Sequence, residues 1–325
     1  MERKDFIKRG VLGTALAYLY SSVSNTLSAA EKLTTGKYRA VENVSSPTNT
    51  HMVGDGFKVM NYFPGGKGFE ERMSPFFLLD FNAEVNFPAS DISRGVGVHP
   101  HRGIETITFA YKGGVEHHDS KGNHGIINKG DVQWMTAGGG VLHKEYHEKN
   151  FDKNGGAFEM VQLWINLPKK HKMTPAKYQS IFHKTKPQKA LADNMGTVHV
   201  IAGDYQGVKG IASTFSPIHM YDIHLNTNAD FSFSLPAGFN SGILVVDGEI
   251  TLNETTKVLE NHYAQLKNES GEIRIKAHKK TILLVLSGEP LNEPYVSYGP
   301  FVMNTEEEIK QAIEDYNKGK FGFLE

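Results

Sequence analysis

The sequence predicts an all-β protein: two tandem β-domains, barrels or sandwiches, closed by one short C-terminal helix. Three observations predict it. Strand-length apolar runs alternate with glycine turns along most of the chain. A polar, proline-bounded segment divides the chain near its middle, and the second half reads as a diverged copy of the first.

From residue 36 onward the runs are FKVMNYF, ETITFAYKGGVEHH, VQLWINL, GILVVDGEITLN, GEIRIKA and TILLVLSG. They are rich in Val, Ile, Phe and Tyr, and several close on Gly-Gly or Asp-Gly, dipeptides that supply the positive φ of tight hairpin turns. No long amphipathic pattern interrupts them before residue 300, which favours a sandwich or barrel over a doubly wound α/β fold. The segment PKKHKMTPAKYQ, residues 168–179, reads as a linker between a first domain at 36–168 and a second at 180–300.

Placing Gly113 of TFAYKGG on Gly248 of ILVVDGE aligns the upstream segments without a gap, and with four extra loop residues in the first copy GDVQWMTAGGGVLHKEY lies over NHYAQLKNESGEIRIKA. Residues 304–325 end the chain with NTEEEIKQAIEDYNKGKFG. Thr305 and Glu308 have capping-box spacing, Ile309, Ala312, Ile313 and Tyr316 form one apolar stripe, and Gly319 can end the helix.

Composition narrows the function. Hydrophobic residues make up 39% and charged residues 22% of the 325, an ordinary balance for a globular chain. Lys plus Arg number 35 against 36 Asp plus Glu, so no basic field exists to hold nucleic acid. With no cysteine, disulfides, thiolate ligands and thiol catalysis are excluded, and any metal must take His, carboxylate or water.

The N-terminus differs from the rest. MERKDFIKRG is basic, VLGTALAYLYSSV is apolar and too short to span a bilayer, and SNTLSAA offers a small-residue cleavage site. Residues 1–30 therefore read as an export signal, and RKDFIK resembles the twin-arginine type, with Lys4 where the second arginine normally sits. The expectation is a periplasmic or otherwise exported protein, with no membrane association after cleavage. Removing this segment takes four basic and two acidic residues, leaving 31 against 34 and a net charge of −3.

The chemistry concentrates in two short stretches, VHPHRGIE at 98–105 and VLHKE at 141–145. Alternate residues of a strand share a face, so His99 and His101 aim one way, and so do His143 and Glu145. If the two pairs face each other they offer three imidazoles and one carboxylate to a single ion, a set suited to Fe, Ni, Cu, Mn or Co. Pro100 removes a ladder hydrogen bond and argues for a strand start or an edge. AGGG at 137–140 supplies a sharp turn ahead of His143. In the second half the four positions become Ser234, Pro236, Arg274 and Lys276, two of them cationic, so only the first domain is equipped for metal. VEHHDS, with His117, His118 and Asp119, reads as structural or rim, and NHG at 123–125 as a turn. Trp134 and Met135 read as filling of the first domain's interior, and His171, His183 and His278 as solvated.

HPHRGIETITF, GDVQWMTAGGGVLHKE and GEPLNEPYVSYGPFVMNTEEEIKQA together resemble the pirin family of the cupin superfamily, from about residue 37 to residue 323. The resemblance implies two tandem cupin domains with one divalent metal, usually Fe(II), in the first. It places the ligands on His99, His101, His143 and Glu145. Glu105 competes for the carboxylate role, because in many cupins the glutamate after His-x-His is a ligand. The pirin pattern leaves it in support of the ligands instead. The resemblance further implies a flavonol 2,3-dioxygenase activity on a small aromatic substrate with O2 and release of CO, Glu145 serving as base. Its second implication is a redox-responsive regulatory or binding protein without turnover.

Overall fold

The computed structural model describes residues 37–47, 49–63 and 72–325. The expected export segment lies outside them.

The first domain stacks a seven-stranded antiparallel sheet on a four-stranded one. The larger sheet runs, in spatial order, Lys177–Ile181, Val132–Thr136, Ile104–Lys112, Gly156–Asn166, Phe76–Phe87, Phe57–Phe63 and Thr50–Val53. The smaller runs Gly95–His101, Val141–His147, Gly114–Asp119 and His124–Asn128. The second domain repeats the plan. Its seven strands are Val41–Ser45, His262–Leu266, Asn240–Asp247, Thr281–Gly288, Ile218–Leu225, Gly196–Ala202 and Gln188–Ala190, and its four are Asp230–Ser234, Glu272–Ala277, Glu249–Leu252 and Thr256–Leu259. The two lists match strand for strand, which is the internal repeat in three dimensions. Among the described residues no ladder joins a large sheet to a small one, so both domains are two-sheet sandwiches and not closed barrels.

Sheet membership departs from the linear boundaries drawn from sequence. Lys177–Ile181, at the end of the expected linker and the start of the second domain, pairs with Val132–Thr136 of the first. Val41–Ser45, inside the expected first domain, pairs with His262–Leu266 of the second. Packing explains both. Ile181 enters the core between the domains, and Val41 and Val44 pack on the core of the second. The NHG segment is also not a turn, because His124 opens a strand and Gly122, at φ 85°, makes the turn before it. A short helix, Lys149–Asn154, appears where sequence suggested none.

The two large sheets face each other through a shared apolar layer containing Trp134, Phe109 and Leu163 from one side and Met220, Leu244 and Tyr263 from the other. Burial of each such side chain contributes roughly 1.5–3 kcal/mol. Trp134 therefore lies between the domains, while Met135, its neighbour, points into the first sandwich against Ile104 and Val141. Adjacent strand residues must diverge in this way.

The interiors of the two sandwiches differ. The second is filled with apolar side chains, among them Phe231, Ile243, Ile250, Tyr221 and Ile275. In the first, apolar clusters around Phe57, Phe158 and Ile127 and around Ile104 and Val141 flank a polar layer that holds the candidate site. The C-terminal helix, Glu306–Asn317, forms with the capping box expected of Thr305 and Glu308. It seats Ile309, Ala312 and Tyr316 on Leu142 and Phe301, directly behind the strand that carries His143.

Candidate metal centre

His99 and His143 stand directly opposite each other on paired strands, with His101 opposite Val141. A bulge follows His143, so Glu145 lies across from Val96 instead of Gly97. Bulges bend a strand and re-aim its side chains. Gly95–His101 is an edge strand, which is why Pro100 costs no ladder partner. Gly140, at φ 127°, lets the preceding turn pass against Phe321, whose ring a Cβ there would meet at 2.5 Å.

The ligand atoms of His99, His101 and His143 all lie within 4.8 Å of one another. Their ring centroids are 4.2 Å apart for His99 and His143, 4.9 Å for His101 and His143, and 5.0 Å for His99 and His101. Each ring uses Nδ1 away from the centre. His99 Nδ1 donates to the Gly97 carbonyl at 2.8 Å and His101 Nδ1 to the Pro300 carbonyl at 3.3 Å, while His143 Nδ1 meets His117 Nδ1 at 3.4 Å. A carbonyl can only accept, so the first two contacts fix the tautomer that leaves Nε2 with its lone pair. His143 Nε2 is buried without a hydrogen-bond partner, the condition of an atom shaped for an ion. Burial, reinforced by the neighbouring imidazoles, pushes His101 and His143 well below the usual imidazole range and lowers His99 to about 4. Neutral imidazoles at neutral pH are what a metal requires.

Glu145 joins a second trio with His143 and His117, again within 4.8 Å. Its carboxylate takes the Gln133 amide and, at 3.3 Å, the Gln162 amide, with Thr108 Oγ1 at 3.2 Å. Tyr178 donates to Gln133 at 3.1 Å. Burial raises the Glu145 carboxyl, and His117, Thr108 and the two amides work against that rise. Trp164 meets the His101 ring edge-on at 4.9 Å, and Tyr178 stacks on His117 at 4.8 Å, giving the site aromatic walls.

Glu105 is not with them. It shares a face of its strand with Ile107 and Phe109, which pack in the layer between the domains, whereas Thr108, on the other parity, points at Glu145. Glu105 accepts from Thr136 at 2.7 Å, and burial lifts it to about 7. A two-residue strand period cannot bring Glu105 and Thr108 to one face, so Glu105 supports the sheet and not the ligands.

His117 is the residue that sequence reading placed on the rim. It is fully buried, lies opposite Glu145 across the ladder, and abuts His143. Thr108, Gln133 and Gln162 were likewise passed over. Their signal was present as polar residues inside the strand runs TITF, VQW and VQL.

Comparison with known proteins agrees with this geometry. Residues 56–165 match the Pirin family model and residues 220–322 the Pirin C-terminal cupin domain model. The chain belongs to the pirin family. A crystal structure of quercetin 2,3-dioxygenase from Acinetobacter baumannii is 46% identical, with a TM-score of 0.84, and the match covers 89% of this pirin and all of that chain. A Pseudomonas aeruginosa protein provisionally named a quercetin 2,3-dioxygenase is 44% identical over 283 residues, covering 87% of this pirin and 98% of the relative. The pirin-like protein of Solanum lycopersicum is 37% identical over 256 residues, covering 78% and 84%. The two cupin-like sandwiches of this pirin are thus those of the family, and its own donor set is suited to a divalent metal.

Proposed function

We propose that this pirin is a metal-dependent dioxygenase of the quercetinase type, opening a flavonol-like enol with O2 and releasing CO. The observation that carries the reading is the convergence of three neutral imidazoles beside a buried carboxylate, in a polar layer walled by Trp164 and Tyr178. The similarity to proteins named as quercetin 2,3-dioxygenases supports the substrate class.

His99, His101, His143 and Glu145 are the residues that would hold the ion, for which we favour Fe(II), with Ni, Cu, Mn and Co as the other candidates. When bound, that ion supplies Lewis-acid polarisation, which lowers the pKa of an enolic hydroxyl. Glu145, its carboxyl raised by burial, takes the hydroxyl proton on a carboxylate oxygen. Gln133 and Gln162 hold that carboxylate in place. Trp164 and Tyr178, both half-buried, flank the imidazoles on the side where a planar aromatic molecule would approach.

The test is an aerobic quercetin assay with bound metal measured in the same sample. The wild type should consume O2 and bleach quercetin, and His101→Ala should lose both the metal and the activity. Intact quercetin over a fully loaded wild-type protein would overturn the reading.

We also propose export through residues 1–30 to the periplasm or beyond. Its support is the order of basic, apolar and small-residue segments. N-terminal sequencing of the native protein decides it, since a retained Met1 would defeat the proposal.

A further inference from the structure

The strand Gly114–Asp119 carries chemistry on both faces. Val115, His117 and Asp119 lie on the inner face, and Glu116 and His118 on the outer one, where Glu116 is itself covered. Across the hairpin, His124 is in register with His118. Three donors therefore meet on the outer face of one hairpin at the edge of the small sheet. His118 Nε2 lies 2.9 Å and His124 Nε2 3.2 Å from the same Glu116 oxygen, Oε1, and the two imidazoles stack with centroids 4.3 Å apart. All three ligand atoms fall within 4.8 Å of one another. Lys149 Nζ stands 3.6 Å from Glu116 Oε1 on the same face.

From this we infer a second divalent-cation site, formed by Glu116, His118 and His124 and separate from the centre built on His99, His101 and His143. Donors bound at about 2.0–2.1 Å to one ion sit about 2.9 Å apart at a right angle and about 3.3 Å apart in a tetrahedron. The observed separations of 2.9 and 3.2 Å are those of imidazole–carboxylate hydrogen bonds, and they match the ligand spacing closely enough for an ion to replace the shared proton without moving the strands. Two imidazole nitrogens and one carboxylate oxygen select a borderline ion, Zn2+, Ni2+ or Cu2+, over the hard ions Mg2+ and Ca2+. The His118 and His124 side chains are 36% and 50% exposed, so water can complete the shell and the ion can exchange with solvent. A cation here ties the edge strand His124–Asn128 to the strand whose inner face carries His117 and Asp119. It stabilises the outer hairpin and takes no part in turnover.

Equilibrium dialysis of the full chain against micromolar free Zn2+, with metal counted per chain, tests the inference. Wild type should take up two equivalents and the double variant His118→Ala/His124→Ala one. The double variant, altered only on the outer face, should keep its front-site metal and unchanged activity. Zn2+ added to protein already loaded at the front site should raise Tm in wild type and leave it unmoved in the double variant. Uptake of a single equivalent by wild type, or of two by the double variant, would overturn the site.

Discussion

His143 Nδ1 faces His117 Nδ1 at 3.4 Å, and His117 Nε2 in turn faces Asp119 Oδ2 at 3.5 Å. His99 and His101 have their tautomers fixed by backbone carbonyls, but His143 has its own fixed by another histidine. For His143 to offer the Nε2 lone pair its Nδ1 must carry the proton, so His117 must accept at Nδ1 and turn its own N–H toward Asp119. Partners that orient a ligating imidazole typically account for 10- to 100-fold in metal affinity. His117→Ala should weaken metal binding by about that factor, read by competition with a calibrated chelator. His117→Asn, which keeps a polar group beside His143, should recover part of the loss. Unchanged affinity in His117→Ala would assign His117 to packing alone.

On the proposal that Glu145 is the base, the amides around it set the acidic limb of the activity. Burial raises this carboxyl, while the Gln133 and Gln162 amides, bound to the ionised form, hold it down. Removing an amide lets the folded-state pKa climb further, so a higher pH is needed to ionise the base. Gln133→Leu should move the acidic limb of kcat/KM toward neutral pH by about one unit, the size of losing one hydrogen bond of about 1.5 kcal/mol to a charged group. A limb that stays in place would show that another group controls it.

The first-domain histidine pairs could be found from sequence because a spacing of two is the strand period itself, and only one face of the small sheet looks inward. His117 could not, since His117 and His118 are neighbours and only the ladder register decides which points in. That register depends on the bulge after His143, which no local pattern announces. Trp134 and Glu105 were obscured for a related reason. Their sheet is covered on both faces, by the site on one side and by the second domain on the other, so its strands lack the apolar–polar alternation that marks an inner face. The exchanged edge strands are hidden as well, because Tyr178 falls in the expected linker and Ile181 in the expected second domain until their partners are known. The C-terminal helix needed no such context, as capping box, stripe and terminal glycine all lie within one short stretch.

Lys172, within the expected linker, is buried and spends its ammonium on three acceptors: the Gly103 carbonyl at 2.8 Å, the Val302 carbonyl at 2.6 Å and Asn166 Oδ1. It joins the turn after His101 to the strand before the C-terminal helix. A buried acceptor left without a donor costs about 1–3 kcal/mol. Lys172→Met, which keeps the apolar stem and removes all three bonds, should destabilise the protein by roughly 3 kcal/mol or more on that basis. Chemical denaturation of the metal-free protein measures it. A loss below about 1 kcal/mol would mean that water replaces the ammonium without penalty.

Arg102, next to His101, pairs with Asp315 of the C-terminal helix at 3.0 Å, and its guanidinium lies 4.7 Å from the centre of the Phe321 ring. Asp315 also binds Lys320 at 2.8 Å. Lys320 first, then Arg102 and Gln311, outweigh burial and hold the Asp315 carboxyl down to about 2, against 3.8 for an ordinary aspartate. The folded-state pKa is the lower one, so the unfolded chain binds the proton first as pH falls. The stabilisation is fully present above about pH 4 and is lost as pH drops through about 2. Wild-type Tm should fall faster than that of Asp315→Asn across this window, while at neutral pH the variant should already melt lower. The consequence reaches the metal, because His101 Nδ1 rests on the Pro300 carbonyl just ahead of this helix. Asp315→Asn should therefore weaken metal binding by on the order of tenfold, as loss of an orienting partner does. Equal acid sensitivity in the two proteins would show that the helix docks through its apolar stripe alone.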